Sequence, residues 1–242
     1  LKSEDAGRSW RSVFLTRGNA NIATGWSGAR GDKDWDYGEF ALGLSVSPRD
    51  SRRVVLTDLG FAHVTEDGGQ RWRQAYVDGR DENPADRPTP RSKPYRSCGL
   101  EQTSCWWLTW SAPHTLFAAF TDISGVFSRD GGTSWSRDSK NGLVHNTTYH
   151  VVVHPHTSVL YGAAASVHDL YQSPYLRDAR IDGGTGAVVT SSDGGAHWRL
   201  AYDFGHPVVW LALDPNRPDL LYASVVNSRA GGIYRLDLAH LD

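Results

Sequence analysis

Apolar and polar positions along the chain alternate in short runs broken by turn residues, and no segment keeps the 3.6-residue period of a long amphipathic helix. The runs are rich in Val, Leu, Thr and aromatic residues and are bounded by Pro, Asp, Gly or His, which is the composition of strands between tight turns. Laid over one another, they fall into sets of four. First strands are predicted at residues 40–46, 105–110, 148–154 and 208–214, and second strands at 54–57, 116–120, 159–165 and 220–226. Third strands are predicted at 61–65, 126–128, 187–191 and 232–236, with fourth strands leaving Trp10, Trp72, Trp135 and Trp198. The pattern predicts an all-β chain.

The first three of these third strands run into a phrase that occurs four times in the chain. It reads Ser3-Glu-Asp-Ala-Gly-Arg-Ser-Trp10, Thr65-Glu-Asp-Gly-Gly-Gln-Arg-Trp72, Ser128-Arg-Asp-Gly-Gly-Thr-Ser-Trp135 and Ser191-Ser-Asp-Gly-Gly-Ala-His-Trp198. The aspartates recur at spacings of 62, 63 and 63 residues, the mark of a repeat architecture. Ser, Thr and Asp hydrogen-bond nearby backbone, glycine supplies positive φ, and Trp fills an apolar gap behind the turn. The phrase specifies a folding unit and carries no chemistry of its own.

This pattern resembles the Asp-box (BNR repeat) of β-propellers such as sialidases, xyloglucanase-type endoglucanases, sortilin-like receptors and a photosystem II assembly factor. The resemblance implies a β-propeller of four-stranded antiparallel blades over residues 1–242, with about four blades in this chain. The chain opens on an Asp-box and closes on a third strand. Either the N-terminal piece completes the last blade, or both ends are cut edges. A segment of a larger propeller is the expected form, its edges met by further blades or another chain. Hydrolases and binding proteins share the motif, so the fold alone does not choose between them.

Antiparallel geometry sorts the loops. First-to-second and third-to-fourth turns lie at one end of a blade, and the second-to-third turns and inter-blade links lie at the other. The long insertions, residues 16–39, 78–104 and 166–185, all belong to the end opposite the Asp-boxes. Long loops gathered on one rim are where function is expected.

The first insertion contains Gly31-Asp-Lys-Asp-Trp-Asp-Tyr-Gly-Glu39. Calcium at Asp32, Asp34 and Asp36 is one reading, although the glycine sits seventh rather than sixth; a solvated acidic turn is the other, and no other cofactor is expected. Trp26, Trp35 and Tyr37 interleave the acids. An aromatic ring covers the apolar face of a pyranose while carboxylates such as Asp36 and Glu39 accept its hydroxyls, so these residues are candidates for glycan binding. His168 and Tyr171, in the third insertion, join them. Among the other histidines, His150 and His154 share a strand face, and no zinc spacing is completed.

Two second-to-third turns, Leu56-Thr-Asp-Leu-Gly-Phe61 and Phe120-Thr-Asp-Ile-Ser-Gly-Val126, resemble the Thr-Asp-Ile-Gly-Gly turn of xyloglucanase-type propellers, where the Asp is catalytic. The resemblance implies catalytic carboxylates at Asp58 and Asp122. Glycoside hydrolysis needs two carboxylates, about 5–5.5 Å apart for retention or about 6.5–9.5 Å for inversion. As an alternative, each Asp simply caps a tight turn. No arginine spacing picks out the triad that a sialidase needs.

The 242 residues carry a formal net charge of −2, which gives no electrostatic case for nucleic acid. No apolar run reaches the length of a transmembrane helix. Cys98 and Cys105 are close enough in sequence for a short disulfide, which would suit an exported protein; free buried thiols are the alternative. Together these observations point to a secreted or extracytoplasmic, carbohydrate-directed propeller with a polysaccharide or glycan ligand, either a xyloglucanase-like glycoside hydrolase or part of one. The competing expectation is a non-catalytic scaffold that binds protein or glycan.

Overall fold

The sheets form where the apolar runs predict them. The computed structural model describes residues 1–26, 43–57, 62–75, 77–96, 104–138, 140–168, 170 and 177–241. They belong to two compact units, Leu1–Gln102 and Thr103–Asp242.

In the first unit the strands are β1 (Ile22–Ala23), β2 (Gly43–Val46), β3 (Val54–Thr57), β4 (Ala62–Thr65) and β5 (Trp72–Gln74). β2 to β5 form the expected antiparallel meander. The two-residue β1 adds itself to β5 in parallel, with Ile22 opposite Trp72. Val13, Ile22, Leu56 and Trp72 make the core, and the Trp72 indole N–H donates to Val13 O at 2.7 Å, tying the N-terminal segment to the sheet. The stretch after β5 is held by a buried polar network rather than by strands. Asn83 Nδ2 donates to Thr24 O (3.1 Å) and Tyr95 Oη (2.9 Å), and Lys93 Nζ donates to Asn83 Oδ1 (2.8 Å). Such networks fix a segment uniquely because each buried polar group is costly to leave unmet.

The second unit contains three consecutive meanders. The first is β6 (Cys105–Ala112), β7 (Thr115–Phe120) and β8 (Gly125–Ser128). The second is β9 (Thr147–Val153), β10 (Leu160–Ala165), β11 (Gly186–Ser191) and β12 (Arg199–Asp203). The third is β13 (Val208–Leu213), β14 (Leu220–Val225) and β15 (Gly232–Asp237). First strands β6, β9 and β13 touch in series, as the inner strands of propeller blades do. A blade between two others is covered on both faces, and every residue of β11 is accordingly buried. Val189 faces a cluster with Phe117, Val151, Leu160 and Trp198, while the next residue back, Val188, faces another with Val208, Leu211 and Leu221. The fold class is all-β, built of antiparallel propeller blades.

The repeated aspartate phrase makes the same turn four times. In the third copy the Ser128 hydroxyl donates to Asp130 Oδ1 (2.8 Å) and accepts from Gly132 N–H (2.9 Å), while Asp130 Oδ1 accepts from Ser134 N–H (2.9 Å). The Ser3, Thr65 and Ser191 copies repeat all three bonds with Asp5, Asp67 and Asp193. The fourth strand beyond the turn varies in length. Expected after Trp135, it shrinks to a single bridge between Phe127 and Ser136, and after Trp10 to the bridge between Lys2 and Arg11.

Candidate functional site

Thr121 to Ser124 connect β7 to β8 in a turn that holds two non-glycine residues left-handed, Asp122 at φ +67° and Ser124 at φ +63°. Aspartate is among the few residues that visit this region readily. The turn is pinned to the next blade, where Ser124 donates from N–H to Asn146 O (2.8 Å) and from its hydroxyl to His145 O (2.7 Å). Gly125 follows because its Cα packs under the Phe117 ring, where any side chain would collide. The glycine at this position thus has a packing cause.

β8 runs from this turn to Asp130, and β11 runs from the loop bearing His168 to Asp193. Asp122 and His168 therefore sit at the blade ends opposite the aspartate turns, as strand parity predicts. They also meet. His168 Nδ1 stands 3.5 Å from Asp122 Oδ1, and Arg180 Nη2 stands 3.4 Å from His168 Nε2. Guanidinium only donates, so in the Arg180 contact Nε2 is the acceptor, and Nδ1 is the nitrogen that faces Asp122. Arg180 comes from α1 (Asp178–Asp182), a short helix within the third insertion. Asp182, at its end, accepts from both N–H (2.7 Å) and hydroxyl (2.5 Å) of Ser228, which lies between β14 and β15. These loops clip three successive blades together. The side chains of His168 and Asp122 are 34% and 41% exposed, so a ligand can reach both.

Beside this polar chain lies a cavity of about 290 Å³ lined by Trp106, Tyr149, Leu170, Ile181, Trp210 and Val226, among others. Trp106 and Tyr149 pack edge to face at 4.8 Å. The Trp106 indole N–H donates to Thr121 Oγ1 (2.9 Å) and the Tyr149 hydroxyl to Val167 O (2.5 Å). Thr121 and Val167 immediately precede Asp122 and His168, so the cavity walls brace the two polar residues. One register position further along each first strand come Trp107, His150 and Trp210, paired with Ala119, Ala163 and Ser224. These three rings form a cluster: His150 stacks on Trp210 at 3.8 Å and meets Trp107 at 4.3 Å, tilted by 59°. Strand periodicity marks His150 as inward-facing, but its equivalence to the two tryptophans emerges only from the register.

The remaining candidates separate. Trp26 packs against Val77 and Tyr95 in the first unit. Trp35, Asp36, Tyr37, Glu39, Asp58 and Tyr171 lie outside the described residues, as do Asp32 and Asp34 of the calcium reading. Among the described residues no cluster of three or more His, Cys, Asp or Glu is arranged to hold a metal ion. No helix among them is long and apolar enough to cross a membrane. Cys105 is a free thiol rather than the expected disulfide partner, and Cys98 lies outside the described residues.

No protein-family model and no curated protein matches the chain. Similar solved structures include the GH74 enzyme of Niastella koreensis (13% identity, TM-score 0.41, covering 81% of this chain and 36% of that one). The GH74 xyloglucanase from Xanthomonas campestris is also similar (18%, TM-score 0.40, 80% and 28%), as is YCF48 from Cyanidioschyzon merolae (12%, TM-score 0.35, 84% and 70%). The chain thus spans well under half the length of both GH74 structures. At these values the fold rests on the chain's own sheets.

Proposed function

We propose that this chain is part of an extracytoplasmic Asp-box propeller directed to carbohydrate, and that it acts by binding a glycan at the Asp122–His168 site. One observation carries the reading: a half-exposed carboxylate and imidazole from adjacent blades meet beside an aromatic-walled cavity. Indole and phenol faces suit the C–H face of a pyranose, and the carboxylate and imidazole suit its hydroxyls. Among the described residues Asp122 faces His168, with Arg180 behind it, an arrangement that suits holding a sugar hydroxyl, whereas hydrolysis calls for a second carboxylate at glycosidase spacing.

The test is calorimetry with xyloglucan and β-glucan oligosaccharides alongside an assay of reducing-sugar release. Binding without release, weakened by Asp122→Asn, supports the reading. Sugar release abolished by Asp122→Asn establishes the hydrolase instead. Absence of both rules out a glycan ligand of this class and leaves a protein partner.

A further inference from the structure

We infer that the glycan bound at Asp122–His168 carries an apolar aglycone or substituent, and that the cavity beside the pair receives it. This rests on the glycan reading above and adds the chemistry of the group attached to the sugar. Three observations lead to it.

The first is the walls. Leu170, Ile181 and Val226 have no polar atom in their side chains, and the polar tips of Trp106 and Tyr149 are already engaged with Thr121 and Val167. A sugar pushed inside would leave buried hydroxyls with few partners, whereas an apolar group would lose nothing. The second is size. At about 290 Å³ the cavity lies at the bottom of the range for ligand sites, roughly 300–1,000 Å³, and suits one ring or a short branched chain rather than a disaccharide.

The third is the arrangement of polar groups. Each adjoins the cavity through a chain neighbour: Asp122 follows Thr121, His168 follows Val167, and Arg180 precedes the wall residue Ile181. A ligand meeting both regions has a hydroxylated end and an apolar end a bond or two apart. Aryl and branched alkyl glycosides have that form, and unsubstituted glucans do not.

The experiment compares methyl β-cellobioside with 4-nitrophenyl β-cellobioside by titration calorimetry on the whole chain, with 4-nitrophenol as control. The aryl glycoside is expected to bind about tenfold or more tightly, the gain from burying one ring. Val226→Trp and Ile181→Trp, on different elements, each fill the cavity. Whichever of them retains the parent's urea midpoint is expected to bring the aryl glycoside down to the methyl glycoside's affinity. Equal affinity of the parent chain for both glycosides overturns the inference and leaves the glycan reading standing. So does an aryl preference that survives both fillings, or free 4-nitrophenol binding as tightly as its glycoside. If neither glycoside binds, the glycan reading fails and the inference falls with it.

Discussion

The imidazole of His150 lies flat on the indole of Trp210, with ring centroids 3.8 Å apart and planes 16° from parallel. Its Nδ1 faces Leu211 N–H at 3.3 Å, and the residue is 4% exposed. Burial pushes its pKa down from 6.5 to about 4. A protonated ring over an indole gains about 1 kcal/mol from the π face, so burial is the larger effect. Between the two pKa values the unfolded chain binds a proton that the folded chain refuses. Stability from this residue is complete above about pH 6.5 and falls as the pH drops toward 4, by roughly 2–3 kcal/mol. Urea melts at pH 7.5 and pH 4.5 are expected to show the loss, and His150→Phe is expected to lack most of it.

Position eight of the repeated phrase should show very unequal mutational costs. Trp198 is buried at 5% exposure against Phe117, with ring centroids 4.9 Å apart, whereas Trp10 is 61% exposed. Trp198→Ala is expected to cost about 3–5 kcal/mol, the usual penalty for emptying an aromatic site in a core. Trp10→Ala is expected to cost under about 1 kcal/mol. Chemical denaturation of the two variants measures both.

Gly132 and Gly195 share a left-handed backbone, φ +90° and +95°. Alanine at either incurs the conformational penalty of about 1–2 kcal/mol. A methyl at 195 also strikes the Phe117 ring, while at 132 the nearest neighbour is Trp135, 3.6 Å away. Gly195→Ala is therefore expected to be the more destabilising by at least about 1 kcal/mol, from overpacking. Equal midpoints for the two variants would show that the Phe117 ring moves aside.

His168 is the positioning residue for Asp122, its Nδ1 standing 3.5 Å from the carboxylate Oδ1. His168→Ala is expected to weaken glycan binding about tenfold, the value of one polar contact. Because the side chain is 34% exposed, the urea midpoint should barely move. His168→Asn keeps a donor near the Nδ1 position and should recover part of the affinity. Calorimetry on the three proteins separates positioning from a loss of fold, which would lower affinity and midpoint together.

The strands were legible because period-two runs and the aspartate phrase agree on where each begins and ends. β7, β10 and β14 open and close within a residue of the expected bounds. β1 was not, since two residues carry no periodicity and its partner, Trp72, is about fifty residues away in sequence. Parity placed Asp122 and His168 at the same end of their blades, yet their contact spans two blades and depends on the left-handed turn at Asp122. Arg180 and the Asp182–Ser228 clip were hidden inside an insertion whose short helix is too brief to show a pattern. Nor did the sequence disclose the ring cluster, because Trp107, His150 and Trp210 do not keep the 63-residue period that aligns the aspartates.

That ring cluster also gives the molecule an optical signature. Trp107 and Trp210 stand 5.4 Å apart with their planes at 75°, close and skewed enough for the two indole transitions to couple. Coupled transitions of this kind split into a pair of circular-dichroism bands of opposite sign. The two tryptophans come from meanders separated in sequence by a third, so the couplet reports whether β6 and β13 have closed on β9. Trp210 also walls the cavity, and the same bands should shift when a ring enters it. Assembly of these blades and occupancy of the cavity can then be followed in one spectrum, without a label.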